Sequence, residues 1–193
     1  MFVLSPKFKL FLASKSPRRA QLLREAGIPF STVAMDVSED FPDDVPVAEV
    51  PEMLSCRKAD AVAHVLTENA IILAADSVVI LEGRIFNKPE NELQAFEMIR
   101  SLSEKKHTVI TGVCLRGLRH SVSFSAHTDV WFGPISDEEI NFYISQFRPF
   151  DKAGAYGVQE WLGHCKIVRM EGTYTNVMGL PVDRVYHALQ TFV

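Results

Sequence analysis

Ser14-Lys15-Ser16-Pro17-Arg18-Arg19 puts two hydroxyls and two guanidinium groups where the apolar run ending at Leu12-Ala13 gives way to a helix-forming stretch. Backbone N–H groups at a helix start have no partner within the helix and attract anions. Ser14 and Ser16 add hydroxyl donors, and Arg18 and Arg19 present forked donors that match phosphate oxygens. Two cations in a first turn oppose the helix dipole. An exposed pair tolerates that, and a bound anion relieves it, so the segment reads as an anion site.

A second chemical feature is Asp76, which follows the apolar run Ala70-Ile71-Ile72-Leu73-Ala74-Ala75. A carboxylate at the end of a buried strand is a common catalytic or metal-binding acid in α/β folds. Taken alone it reads first as a turn-forming residue that caps a strand. Lys58 lies four residues after Leu54 and three before Ala61, on the apolar stripe of its helix. A lysine there either snorkels out or meets an anion. Lys88, in Asn87-Lys88-Pro89, reads by itself as a surface residue. The segment Asp151-Lys152-Ala153-Gly154-Ala155-Tyr156-Gly157-Val158-Gln159 is either a flexible connection or a place where backbone approaches a ligand closely. There Lys152 offers a charge for phosphate, and Gln159 an amide able to read a base edge. Glu39 is one of several acids in a loop.

Other chemistries lack their signatures. The six histidines show no metal-ligand spacing, and neither a Gly-x-Ser-x-Gly elbow nor a Walker phosphate loop is present. The three cysteines, Cys56, Cys114 and Cys165, are widely spaced, suiting buried free thiols in a reducing, cytoplasmic setting rather than disulfides or zinc. A net charge of -4 and a pI of about 5.9 argue against broad nucleic-acid binding. No apolar run is long enough to span a bilayer. Residues 1–7 lack the features of a signal peptide.

The elements that must position these groups follow from periodicity and capping. Phe8 to Ala13 reads as a strand, followed by a helix over Pro17 to Ala26 with Ser16 as N-cap and Gly27 as its stop. Ile28 to Met35 reads as a strand, Pro51 to Leu66 as a helix, and Ala70 to Leu81 as an apolar strand closed by a turn at Glu82-Gly83. A helix over Asn91 to Leu102 has apolar positions at Leu93, Phe96, Ile99 and Leu102. Thr108 to Arg116 and Val122 to Phe132 form a hairpin around Gly117-Leu118-Arg119-His120. Ser136 and Glu139 make a capping box for the next helix. A strand near His164 to Met170 and a last helix from Pro181 complete the chain. The expectation is an α/β fold with a mixed, twisted sheet flanked by helices. With 193 residues, 47% apolar and 23% charged, it forms one domain, or one domain of two lobes around a central active-site cleft.

Together these segments resemble the Maf family of nucleoside triphosphate pyrophosphatases. The matching pieces are LASKSPRRAQLL, Glu39, Lys58 in RKA, AADSVV, NKP, HTVITGV, DKAGAYGVQ and GTYTNVMGLP, which cover nearly the whole chain. The DKAGAYGVQ form is similar to the branch acting on dTTP and UTP. The resemblance implies a fold shared with inosine triphosphate pyrophosphatases, a divalent metal (Mg²⁺ or Mn²⁺), a nucleoside triphosphate substrate and a homodimer. It implies Asp76 as proton acceptor and, with Glu39, metal ligand. Arg18, Ser77 and Gln159 match positions tied to substrate choice, and Ser14, Arg19, Lys58, Lys88 and Lys152 line the site. Two departures stand out. Ser77 stands where threonine is frequent, and Glu160-Trp161 follows Gln159 where glycine is usual. Two other readings stay open: a house-cleaning pyrophosphatase for non-standard nucleotides, and a nucleotide sensor in cell division that does not hydrolyse.

Overall fold

The computed structural model describes residues 8–42 and 44–192. The reading of residues 1–7 falls outside these. The chain packs as two units. One comprises Met1–Asp76, Thr111–Ala126 and Gly179–Val193, and the other Ser77–Ile110 and His127–Met178.

In the first unit, strand β1 (Lys9–Ala13) leads into helix α1 (Pro17–Glu25), which starts with Pro17 after an extended Ser16. Gly27, at φ 67°, turns the chain off the helix, a left-handed conformation that glycine adopts without strain. The next strand, β2, is only Ser31–Thr32, far shorter than the expected Ile28 to Met35. Pro29 has no N–H to give, and among the described residues β2 is an exposed edge strand beside β1. Helix α2 (Val50–Ala61) also stops early, tightening into a 3₁₀ turn over Ala63–Val65.

Strand β3 (Ala70–Leu81) matches its expected bounds and runs parallel to β1, from Lys9 opposite Ala70 to Ala13 opposite Ala74. Its Ile72 and Ala74 pack with Ala13, Ala59, Val62 and Cys114 in the core of this unit. Strand β5 (Lys106–Arg116) carries Gly112, where a Cβ would lie 2.1 Å from the backbone N of Glu52. Only glycine lets the start of α2 rest so closely on the strand. Of the cysteines, Cys114 is buried, but Cys56 is half-buried and Cys165 is exposed, so the expectation of buried thiols holds for one.

In the second unit, β3 continues through a tight turn at Glu82 and Gly83, both with positive φ, into β4 (Arg84–Phe86), which pairs antiparallel with it. This three-residue strand is too short to show periodicity. Helix α3 (Glu92–Leu102) is capped by Asn91, whose side chain accepts from Gln94 N–H. Its buried stripe is Ala95, Ile99 and Leu102, while Leu93 is 71% exposed, against expectation. Strand β6 (Ser121–Phe132) follows β5, and helix α4 (Asp137–Phe147) begins with the expected capping box of Ser136 and Glu139. Helix α5 (Trp161–Lys166) occupies residues expected to start a strand; β7 begins only at Ile167 and runs to Glu171, antiparallel to β6. Helix formation there begins when His164 N–H donates to Glu160 O. Helix α6 (Tyr174–Met178) is short, and α7 (Val182–Leu189), in the first unit, follows Pro181.

Parallel pairing at β1 and antiparallel pairing at β4 and β7 make the sheet mixed, with helices interspersed: the α/β class is as expected. Among the described residues no helix is long and apolar enough to cross a membrane.

His107 sits in the second unit's core, 1% exposed, with Nε2 2.8 Å from the Tyr156 hydroxyl. Its Nδ1 has no hydrogen-bond partner among the described residues. Burial holds its pKa down from the ordinary 6.5 to about 4, against the pull of Asp129. Between these values the unfolded chain binds the proton and the folded one does not. Stability is therefore full above the unfolded value and declines as pH falls from 6.5 to about 4, by ~3 kcal/mol. Replacing His107 with glutamine should flatten the pH dependence of Tm across this window. An unchanged slope in the variant would contradict this role.

Candidate active site

The loop after β1 and the first turn of α1 position the arginines. Ser14 Oγ accepts from Ser16 N–H at 3.1 Å and from Arg19 NH1 at 3.2 Å. Arg19 Nε donates to Gly179 O at 2.7 Å. Arg19 is buried, and burial pushes its guanidinium pKa down, with the charges of Asp76 and Glu39 opposing and that of Arg18 adding. Part of Arg19's donor set is thus spent inside the protein. Arg18 is half-buried and also engaged.

Lys58 does not snorkel. It is 4% exposed, and its Nζ donates to Glu39 Oε1 at 2.7 Å and to Asp76 Oδ1. Helix α2 aims Lys58 across the core because its neighbours Leu54, Ser55 and Ala59 face inward with it. The Glu39 loop is held by Arg57, a residue the sequence reading passes over. Its NH1 donates to Ser38 O at 3.1 Å and to Asp40 O at 2.5 Å, on either side of Glu39. An arginine beside a buried lysine was the available signal. Asp76 does not end its strand. It lies within β3, buried at 8% exposure, at the end of the first of the three segments that make up the first unit.

In the second unit, Ser77 is half-buried and Lys88 exposed; each makes an interaction. Lys152 is buried, with Nζ 2.8 Å from Asp151 Oδ1 and 3.0 Å from Glu160 Oε1. Tyr143 donates to Glu160 Oε2 and accepts from Gly157 N–H at 3.0 Å. Burial, then the hydrogen bond to Glu160 and the charge of its carboxylate, pushes the Tyr143 pKa up. Gln159 Nε2 donates to Glu160 Oε1 at 3.4 Å, and Gln159 Oε1 is buried without a partner among the described residues. The glycines expected to admit a ligand serve the protein's own side chains. A Cβ on Gly154, which has φ 68°, would meet Val79 at 2.9 Å, and one on Gly157 would meet Gln159 Nε2 at 2.8 Å.

No cluster of three or more His, Cys, Asp or Glu fit to hold a metal occurs among the described residues. The convergence of Asp76 and Glu39 on one ammonium nevertheless brings two hard oxygen donors together. Two carboxylates completed by substrate phosphates are a set that suits Mg²⁺.

The family model for Maf-like proteins matches residues 9–192. The chain belongs to this family. A protein of Bacteroides thetaiotaomicron named dTTP/UTP pyrophosphatase is 43% identical over 185 residues, spanning 95% of this chain and 96% of that one. Proteins of the same name from Phocaeicola vulgatus and Porphyromonas gingivalis are 44% and 42% identical, each over at least 95% of both chains. Among solved structures, the Staphylococcus aureus Ham1 protein aligns with a TM-score of 0.47 at 12% identity, over 64% of this chain and 71% of that one, a likeness too loose to bear on activity.

Removing one partner of a buried ion pair leaves the other buried charge desolvated and short of its counter-charge, and here that charge is Asp76. Lys58→Met should therefore destabilise the protein by about 3 kcal/mol and lower Tm by roughly 10 °C. Thermal unfolding of the variant measures this, and a Tm matching the wild type would show that Lys58 is not the counter-charge for Asp76 and Glu39.

Proposed function

We propose that this protein hydrolyses dTTP and UTP to the nucleoside monophosphate and pyrophosphate. The observation that carries the reading is the buried Lys58 ammonium holding Asp76 and Glu39 together, in a chain whose relatives bear that name. In the proposed reaction a water oxygen bonds to the α-phosphorus. The bond from that phosphorus to the oxygen bridging to the β-phosphate breaks, and pyrophosphate leaves with the electron pair. Asp76 takes the proton from the water. A carboxylate offers about four lone-pair sites, so the hydrogen bond from Lys58 leaves Asp76 with acceptor capacity.

Lys58 and Arg19 lie in the same unit as Asp76 and supply positive charge near it. A divalent cation, Mg²⁺ or Mn²⁺, would rest on Asp76 and Glu39 and offset charge on the phosphate oxygens as the anhydride breaks. The roles of Ser14, Arg18, Ser77, Lys88, Lys152 and Gln159 in binding substrate are proposed from the family resemblance, as is the homodimer. A nucleotide sensor would need no proton acceptor, and a house-cleaning enzyme would favour modified bases. Pyrophosphate release across a panel of nucleotides distinguishes all three.

Asp76→Asn should lower kcat by ~10²- to 10⁴-fold, the usual loss on removing a general base. Tm should stay close to the wild type, since Lys58 keeps Glu39 as partner. Near-normal turnover in this folded variant would remove Asp76 from the chemistry. If the Gln159 amide reads the pyrimidine edge, Gln159→Ala should blunt the preference for UTP over CTP in kcat/KM. An unchanged ratio would place Gln159 outside base selection.

A further inference from the structure

A glutamine amide has two ends of opposite hydrogen-bonding sense, and half a turn about its last bond exchanges them. Gln159 Nε2 donates to Glu160 Oε1 at 3.4 Å. An ionised carboxylate only accepts, so Glu160 can hold only the NH₂ end. The carbonyl end, Oε1, is then left buried with no partner among the described residues. Buried acceptors are normally satisfied, so an orphan points to a donor that arrives with a ligand.

Glu160 is itself held from two further directions. Lys152 Nζ lies 3.0 Å from Oε1, and Tyr143 donates to Oε2 while accepting from Gly157 N–H. Gly157 supplies the room for this arrangement. A Cβ there would lie 2.8 Å from Gln159 Nε2 and 2.9 Å from the Glu160 carboxyl carbon.

We propose that Glu160 is a positioning residue for base selection: its carboxylate pins the Gln159 amide with the carbonyl end presented. The proposal rests on the pyrophosphatase reading above, in which Gln159 meets the base. A presented carbonyl accepts from a ring N–H. Uracil and thymine carry that donor at N3, whereas cytosine has a lone pair there and would meet Oε1 acceptor to acceptor. Glu160 thereby favours UTP and dTTP over CTP without touching the nucleotide.

The test measures kcat/KM for UTP and CTP in the wild type, Glu160→Gln, Gln159→Met and the double variant. The UTP/CTP ratio should fall about tenfold in Glu160→Gln, as expected for losing one well-placed hydrogen bond. It should fall similarly in Gln159→Met and no further in the double variant. Lys152 loses a carboxylate partner in Glu160→Gln, but the consequence for the triphosphate is common to both nucleotides and cancels in the ratio. A wild-type ratio in Glu160→Gln overturns the proposal, as does an equal fall when Glu160→Gln is added to Gln159→Met. Glu160→Gly carries the same expectation by a second route should the glutamine variant not fold. Calorimetric binding of UTP and CTP in EDTA reads the same preference without turnover. A protein that binds UTP over CTP through Glu160 yet releases no pyrophosphate would refute the hydrolase reading and keep this one. Hydrolysis with an unmoved ratio, or equal binding of both nucleotides by the wild type, would refute this one.

Discussion

The first unit is organised around one buried ammonium. Taking a lysine charge out of water costs several kcal/mol unless anions meet it with good geometry. Lys58 is met by two, Glu39 and Asp76, from a loop and a strand that share no local sequence with it. That requirement ties α2, β3 and the Glu39 loop together. It also explains details that would otherwise be unconnected. Gly112 lets α2 settle against β5, and Arg57 grips the carbonyls flanking Glu39, so both ends of the Lys58 arrangement are fixed by neighbours.

The second unit repeats the device with different parts. Lys152 is buried between Asp151 and Glu160, and Tyr143 donates to Glu160 while accepting from Gly157 N–H. Here the partners are close in sequence, within the segment 151–160, and the constraint is conformational. The chain must turn back on itself, through positive φ at Gly154 and Ala155, so that its own carboxylates reach its own ammonium. A buried lysine satisfied by carboxylates is therefore the recurring polar element of this protein. In a site that handles a polyanion, such cations need carboxylates of their own in the absence of ligand, which is a physical reason for acids to accompany lysines.

The core elements were legible from their patterns. The twelve residues of β3, almost wholly apolar, stand at their expected bounds. The cap at Asn91 and the capping box at Ser136 and Glu139 formed as local chemistry requires. The misreadings share a cause. Ile28 to Met35 has strand composition, yet its strand is confined to Ser31 and Thr32, with Val33 N–H adding one bond to Leu12 O. Leu93 fits helical spacing, yet its side of α3 faces solvent. Residues 164–166 read as strand but wind into α5.

Caps, turns, apolar runs and the residue types able to bind phosphate are settled within one helical turn or one hairpin, and the amino-acid order suffices for them. Those effects act over a few residues, so their causes are all visible in a short window. Tertiary structure alone decided which charges became partners. Lys58 finds carboxylates 18 and 19 residues away, and Gly112 takes the backbone of α2 sixty residues earlier in the chain. Such choices depend on desolvation and close packing, which exist only once distant segments have been brought together.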